Sequence, residues 1–300
     1  MNTGLPKRVM VKASGISQTF DYHIDLTTSV TVPPLLTWFE VIGYTVLLNS
    51  QTVSRQYQTE CDNNTEVVLP VRLCRSLQRI NSRLSFVAIA QAIHQVTSLE
   101  SLNLLSNNRH FHKLLTTGVD VTYQFNGETV QEKVWLVDQS NLLNNDWLVI
   151  HPFTILKSSC IHSLDVVVFI NGLPLAVMVW IDPQDENATL KAAYQRLQTY
   201  LQKIPQLFIY NAFLIIACGN RARVGTLTSG WQEFLPWRTI DGEDFPCAGE
   251  TQLEVLIQGI FDKRRLLELI KSLIIFEENT DLIRKKFLRY PFCTTPTNLN

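Results

Sequence analysis

The sequence predicts an α/β fold, a mixed β-sheet flanked by helices, and two observations carry that prediction. First, an Asn171-Gly172 pair separates two apolar, β-branched runs, which is a strong local signal for a β-hairpin. Second, helical periodicity over residues 188–202 is followed by an apolar run at residues 207–217, which predicts a buried strand. This alternation of strand and helix patterns places the chain in the α/β class.

The other predicted elements follow in chain order from periodicity and turn residues. Residues 1–30 are polar and predict an irregular arm or edge strand, and a short amphipathic helix begins after Pro33-Pro34 and ends at Gly43. Residues 67–84 mix apolar and basic side chains. Helical periodicity and strand alternation then predict two helices and three strands, at residues 86–96, 107–118, 119–125, 132–138 and 147–150.

A turn-rich segment divides the chain near its C-terminus. Residues 241–250 combine Asp, Gly, Pro and Glu and predict a linker. Helical periodicity resumes over residues 252–261 and 264–276. The expected organisation is therefore a domain at residues 1–240, the linker, and a C-terminal helical segment with a polar tail at residues 251–300.

Composition indicates a globular protein and argues against several classes. The 300 residues are 46% hydrophobic and 18% charged, with a formal net charge of −1, so a nucleic-acid partner would need a local basic surface. Six cysteines without a CxxC pair, and a start without an apolar leader, predict reduced thiols in the cytoplasm. No apolar run reaches about 18 residues and no GxxxxGK[ST] segment occurs, so we expect neither a membrane span nor an ATP site.

The predicted hairpin lies within a longer series of motifs. Asp165 opens the first strand, Asn171 to Leu175 contain the turn, and Pro183 follows the second strand. Short groups lie in order on both sides, at Asn107-Asn108, Phe111-His112, Leu114-Leu115, Gly118-Val119, Asn144-Asn145-Asp146, Phe153, Gln198-Thr199-Tyr200, Ile204-Pro205, Leu207-Phe208, Tyr210-Asn211-Ala212, Gly225-Thr226-Leu227-Thr228 and Trp237-Arg238. This collinear series resembles the N-terminal nuclease domain of the R subunit of type I restriction-modification enzymes, a domain of the PD-(D/E)XK superfamily.

The resemblance implies a restriction-endonuclease-like mixed sheet with an active site on the hairpin. In that site two carboxylates hold Mg²⁺, and a lysine helps to position and activate the attacking water. Asp165 matches the first carboxylate, and Tyr200 matches a tyrosine that follows the hairpin in the family. The positions of the second carboxylate and the lysine hold Val179 and Ile181. The resemblance therefore implies a degenerate catalytic motif, with Mg²⁺ as the cofactor if any activity is retained.

Other family positions have changed as well. A glutamine of the family corresponds to Arg196, and a glutamate of its first helix corresponds to Val32. Acids and their helpers have changed while framework residues remain, which indicates lost selection for catalysis. Asp182 is the candidate for a relocated metal ligand that would act with Asp165; the alternative is a turn acid that precedes Pro183.

Basic residues beyond the hairpin are candidates for DNA contact. The set comprises Arg196, Lys203, Arg221 and Arg223. These side chains could form one phosphate-facing patch, or they could be ordinary solvated charges. The expected partners are DNA and restriction-modification subunits.

Three hypotheses of function follow from the motif. The first is a stand-alone, catalytically inactive homologue that acts as a DNA-binding or protein-interaction module. The second is an active Mg²⁺-dependent DNA endonuclease that uses Asp165 with a relocated acid. The third is a split subunit that works with a separate ATP-driven motor. The hairpin geometry predicts that Asp165 lies within side-chain reach of residues 179–181, with Val179 and Ile181 pointing toward it.

Overall fold

A computed structural model describes residues 34–48, 67–99, 101, 103–125, 127–157, 160–240, 249–279 and 282–288. Its strands, in chain order, are β1 (Thr45–Leu48), β2 (Val119–Phe125), β3 (Glu128–Val134), β4 (Trp147–His151), β5 (Phe153–Lys157), β6 (Cys160–Leu164), β7 (Val166–Ile170), β8 (Leu173–Ile181), β9 (Phe213–Cys218), β10 (Arg221–Gly225), β11 (Ile274–Asn279) and β12 (Leu282–Phe287). Its helices are α1 (Pro34–Val41), α2 (Pro70–Ile80), α3 (Phe86–Thr97), α4 (Leu104–Thr117), α5 (Leu190–Lys203), α6 (Pro205–Phe208), α7 (Gln252–Phe261) and α8 (Lys263–Ser272).

A six-stranded mixed sheet forms the centre of the described structure. Its order is β1-β4-β7-β8-β9-β10, with parallel pairs at β1-β4 and β8-β9 and antiparallel pairs elsewhere. Helix α5 connects β8 to β9, because two parallel neighbours need a crossover connection. Every residue of β7 and β9 is buried, as expected for central strands covered on both faces. The predicted mixed α/β sheet flanked by helices is confirmed.

The Asn171-Gly172 turn has the geometry that its sequence predicts. Both residues have positive φ, 54° and 80°, and this combination is typical of a type I′ hairpin turn. The pairing of Val166 with Met178, continued by one residue, places Asp165 opposite Val179. The turn is buried, and the N-terminus of α2 lies against it. The Leu69 amide, just before α2, donates to the carbonyl of Gly172 at 2.9 Å.

Several predicted elements match the structure closely. The helix predicted at 188–202 is α5, and the Thr189 side chain caps its N-terminus by accepting from the Ala192 amide. The helix after Pro33 and those predicted at 86–96, 107–118 and 252–261 are also present, as α1, α3, α4 and α7. The predicted strands at 119–125 and 147–150 are β2 and β4.

Three sequence predictions are wrong in extent. The strand predicted at 132–138 lies earlier, at Glu128–Val134, since a tight turn at Gly127 pairs it with β2. The run at 207–217 is not one strand, because Pro205 begins the short helix α6 and the strand starts only at Phe213. The helix predicted to reach residue 276 ends at Ser272.

The C-terminal segment therefore contains a β-hairpin after its two helices. Ile274 pairs with Phe287, and β11 and β12 form a separate two-stranded sheet. Periodicity favoured a helix for residues 274–276, but β-branched residues and pairing with β12 favour a strand. The division at residues 241–250 stays a prediction. Most of that linker, the N-terminal arm and Val32 lie outside the described residues.

Candidate functional site at the open end of the hairpin

Asp165 lies immediately before β7, at the open end of the β7-β8 hairpin. Its Oδ2 accepts a hydrogen bond from the backbone amide of Trp180 at 3.0 Å. This contact confirms that Asp165 reaches residues 179–181. The side chain of Asp165 is 16% exposed, so its carboxylate is largely withdrawn from water.

The second oxygen of Asp165 is paired with a cation from helix α5. Arg196 Nη2 lies 3.0 Å from Asp165 Oδ1, and Arg196 Nε donates to the hydroxyl of Tyr200 at 2.9 Å. Tyr200 in turn donates to the carbonyl of Ser163 at 2.7 Å. Arg196 and Tyr200 are one helical turn apart and therefore share a face of α5. Together these contacts connect α5 to the chain that enters β7.

The electrostatics of the site reflect burial balanced by neighbouring donors. Burial raises the pKa of Asp165, while Arg196, the Trp180 amide and His151 act in the opposite direction, and the net shift is upward. Burial lowers the pKa of Arg196, but the negative charge of Asp165 and the hydrogen bond to Tyr200 raise it, with a net increase. Burial is also the main reason that the pKa of Tyr200 is raised. A close contact joins His151 Nδ1 to the backbone oxygen of Asp165.

The two positions where the family pattern has its glutamate and lysine lie in the core. Val179 is fully buried and Ile181 is 8% exposed. Neither side chain offers an oxygen or a nitrogen. Strand alternation places both on the same face of β8. Within the sheet, β8 is hydrogen-bonded to β7 on one side and to β9 on the other. The open end of the hairpin is therefore closed by apolar packing at these two positions.

The donor set of this site does not fit Mg²⁺. A magnesium ion takes octahedral oxygen ligands and is usually bound through one or two carboxylates. Asp165 supplies one carboxylate, and its two oxygens already accept from Arg196 and Trp180. Across the described residues, no three His, Cys, Asp or Glu side chains gather closely enough to hold a metal ion. The guanidinium of Arg196 instead supplies positive charge beside the carboxylate.

Asp182 follows the last residue of β8 and faces its own turn. Its Oδ1 accepts from the amide of Gln184 at 2.9 Å, a side-chain-to-backbone contact that is common in turns. This contact agrees with the alternative stated from the sequence, a turn acid before Pro183. A role of Asp182 as a relocated metal ligand stays a prediction.

The four basic residues proposed for DNA contact have different surroundings. Arg196 is paired with Asp165, and Lys203 is the exposed last residue of α5. Arg221 and Arg223 lie on β10, where Arg221 is exposed and the guanidinium of Arg223 lies 5.2 Å from the centre of the Trp231 ring. Their action as one DNA-binding patch stays a prediction.

Two groups near these residues were missed by the sequence reasoning. His151 contacts Asp165, and Lys191 Nζ lies 4.8 Å from the centre of the Trp231 ring. The sequence favoured a surface or capping role for His151 over a metal ligand or general base, because no HxxxH or HExxH spacing occurs. The Lys191 contact depends on strand β10 and the turn that follows it, and β10 was not predicted. Both groups are brought to their places by the fold.

Within the described residues, no helix combines the length and apolar character needed to cross a membrane.

A family model described as "Type I restriction enzyme R protein N terminus" matches residues 29–233. The "Type I restriction enzyme HindI endonuclease subunit" of Haemophilus influenzae is 32% identical over 217 residues, which cover 71% of this chain and 21% of that protein.

A second relative comes from Methanocaldococcus jannaschii. The "Putative type I restriction enzyme MjaIXP endonuclease subunit" is 26% identical over 256 residues, which cover 79% of this chain and 24% of that protein. The chain thus spans between a fifth and a quarter of the length of these relatives. The matched family model covers more than half of the chain, including the hairpin, helix α5 and strand β10. The chain belongs to the family of type I restriction enzyme R protein N-terminal domains.

Proposed function

We propose that this chain is a non-catalytic, PD-(D/E)XK-like module of a restriction-modification system, which contributes binding rather than DNA cleavage. The single observation that carries the proposal is the ion pair between Asp165 and Arg196. A guanidinium fills the role of the cation beside the one remaining motif carboxylate. DNA and restriction-modification subunits are the proposed partners, and the cytoplasm is the proposed compartment.

The chemistry of hydrolysis supports this assignment. Metal-assisted cleavage requires a cation that lowers the pKa of a bound water and stabilises the charge that develops on the phosphate. Arg196 cannot lower the pKa of a water in that way, and it stays protonated throughout the accessible pH range. Val179 and Ile181 provide neither a second carboxylate nor an amine. The described site therefore has neither a second carboxylate nor an amine at the two motif positions opposite Asp165.

The size of the matched region supports the proposed partners. The relatives are named as endonuclease subunits, and the chain spans 21% and 24% of their lengths. We therefore expect ATP-driven translocation to depend on protein sequence outside the region matched here, as in a split subunit that works with a separate motor. The exposed side chain of Arg221 and the neighbouring Arg223 are the residues of the original basic set that remain available to DNA phosphates.

A cleavage assay on supercoiled plasmid, with Mg²⁺ or Mn²⁺, tests the absence of catalysis. We expect no metal-dependent nicking by the wild-type protein. Asp165→Ala and Asp182→Ala are the matched controls, since each removes one candidate acid. Cleavage that disappears in Asp165→Ala would contradict the proposal, and cleavage that disappears in Asp182→Ala would identify a relocated ligand.

Calorimetric titration with Mn²⁺ provides a second readout that does not depend on activity. The wild-type protein should release no binding heat attributable to the hairpin, because both Asp165 oxygens are already engaged. Binding heat that is lost in Asp165→Asn would show a functional metal site and overturn the proposal.

A further inference from the structure

Helix α2 and the residues that follow it carry a cluster of arginines and no acidic side chain. Residues 67–99 contain Arg72, Arg75, Arg79 and Arg83 and no Asp or Glu, whereas the whole protein has a net charge of −1. Clustering of arginines along one helix is the electrostatic footprint of a surface that binds a polyanion. Neither the hairpin site nor the basic residues on β10 take part in it.

The arginines of α2 occupy one side of the helix. Arg72, Arg75 and Arg79 are spaced at i, i+3 and i+7, and side chains at that spacing share a face. Arg72 pairs with Asp146 at 2.8 Å, and Arg79 Nε donates to the carbonyl of Asn144 at 2.7 Å. These two contacts orient the side of α2 that carries the arginines, which we call the stripe, toward residues 144–146.

Three of the four arginines remain available for a ligand. Arg75 and Arg83 are exposed, and neither has an ion-pair partner among the described residues. Arg79 is also exposed and uses only its Nε in the contact with Asn144. Its two terminal nitrogens can therefore still donate to a phosphate. The cluster offers three guanidinium groups, two on α2 and one, Arg83, in the turn that follows it.

Exposed aromatic and apolar side chains flank this stripe. Trp135 is 45% exposed, Phe86 is 64% exposed and Leu143 is 85% exposed. Asn81, at the C-terminus of α2, binds both backbone groups of Trp135. Its Oδ1 accepts from the Trp135 amide and its Nδ2 donates to the Trp135 carbonyl, each at 2.9 Å. These contacts fix the backbone of Trp135 beside the C-terminus of the arginine-bearing helix, and its side chain is 45% exposed there.

We propose that this surface, which we call the α2 face (Arg75, Arg79, Arg83, Phe86 and Trp135), binds single-stranded DNA. Proteins that bind single strands combine a basic track for the backbone with aromatic rings on which the bases stack. Duplex DNA would leave the exposed rings without bases to contact, because its bases are already stacked. A protein partner would need a matching stripe of acids, whereas the phosphates of a nucleic acid supply regular negative charge by their nature.

Fluorescence anisotropy tests the proposal with a labelled oligothymidylate of about 30 nucleotides, a length that spans the site of a typical single-strand binder. We expect saturable binding at low salt, tighter than binding to a duplex of equal length. Arg75→Gln with Arg83→Gln should weaken binding about tenfold or more, and should reduce the slope of log K against log salt by about 1.4, about 0.7 for each lost phosphate contact.

The aromatic contribution is measured separately. Trp135→Ala should weaken binding about tenfold, a factor in the range measured for loss of one stacking partner. Trp135→Phe should recover most of the affinity, because it restores a stacking ring. The matched control is Lys113→Gln with Arg264→Gln, which removes two exposed charges on helices α4 and α8 and should change the affinity less than about threefold. Circular dichroism melting checks that all variants are folded.

Three outcomes would overturn the proposal. One is a wild-type protein that does not bind oligothymidylate at low salt, in which case a protein docking surface becomes the better account of the α2 face. Another is equal weakening by the control pair, which would mean unspecific attraction. The third is tighter binding to the duplex than to the single strand. None of these results depends on the Asp165–Arg196 pair, so they are distinguishable from failure of the proposed function.

Discussion

The two ends of the β7-β8 hairpin have kept very different amounts of the family pattern. At the turn, Asn171 is fully buried and its side chain makes three hydrogen bonds, accepting from the Asp146 amide and donating to the Leu136 carbonyl and to Asn145 Oδ1. At the open end, the motif carboxylate of Asp165 is paired with a guanidinium, and two motif positions are aliphatic.

The difference follows from what each end is needed for. The turn holds β4, the loop before it and α2 against the hairpin, so its loss would leave buried polar groups unpaired at a cost of about 1–3 kcal/mol each. The second carboxylate and the lysine that the resemblance implies for the open end would serve chemistry alone. Replacement of a buried ionisable group by a packed aliphatic side chain is often neutral or stabilising. On the proposal that catalysis is lost, selection for folding still retains the framework residues.

The largest effect is expected from restoring the family side chains at the open end. Val179→Glu with Ile181→Lys would place two charges in positions that are 0% and 8% exposed. We expect a loss of more than about 4 kcal/mol of unfolding free energy, because buried charges without good partners cost several kcal/mol. Thermal melting with and without Mn²⁺ measures this loss. A stable double variant that binds Mn²⁺ would mean that positions 179 and 181 can still form a metal site.

The next effect tests the turn end. Gly172→Ala adds a Cβ that would lie 2.6 Å from the Leu69 carbonyl oxygen and 2.9 Å from the Leu73 amide, at a φ of +80°. We expect a loss of about 3 kcal/mol from steric overlap and backbone strain.

Gly127→Ala provides the matched control for this change. Its φ is +85°, and among the described residues nothing lies within 4 Å of an added Cβ. Only the backbone term remains, so we expect a loss of about 1 kcal/mol. Chemical denaturation of both variants separates the two contributions, and equal losses would mean that the close approach of α2 to the turn is unimportant.

A smaller effect is expected from removing the cation at the open end. Arg196→Gln introduces the glutamine that the resemblance implies and leaves the Trp180 amide as a hydrogen-bond donor to the buried carboxylate of Asp165. Because the Arg196 side chain is 44% exposed, solvent screens the pair and we expect a loss of about 1 kcal/mol. Arg109→Gln, which breaks the exposed pair with Glu278, should cost less than about 0.5 kcal/mol. Equal losses of unfolding free energy in the two variants would mean that the Asp165–Arg196 pair stabilises the fold no more than an exposed ion pair does.

The smallest effect is a dependence on pH. Burial raises the folded-state pKa of Asp165 above its ordinary value, so the folded state binds more protons than the unfolded state between the two pKa values. Stability must fall as pH rises through that interval. Arg196→Gln removes a charge that holds this pKa down, and the fall should become larger.

Denaturation between about pH 4 and 7 measures this slope. Asp165→Asn, in the wild-type and Arg196→Gln backgrounds, isolates the carboxyl from His151, which lies beside it. The Asn substitution should abolish the difference between the two backgrounds. A difference that persists would assign the pH dependence to another group.

The local sequence was sufficient to predict the hairpin and helix α5 and to identify the family. Asn171-Gly172 determines a type I′ turn because those two residues tolerate positive φ, and Thr189 marks the start of α5 because its hydroxyl caps the first turn. The collinear groups identified the family, and several of them are buried hydrogen-bonding centres. Asn108, for example, donates to the carbonyls of Phe208, Ile209 and Asn211.

Tertiary structure decided what the sequence left open. Strand β1 is recognisable only through its pairing with β4, and β11 only through its pairing with β12, since strand propensity depends on neighbours. The partner of Asp165 is a residue of α5, 31 positions along the chain. Val179 is fully buried only because the folded chain covers the sheet at this position. Sequence specified which side chains are present, but contacts between distant segments determine which of them meet and how much water reaches them.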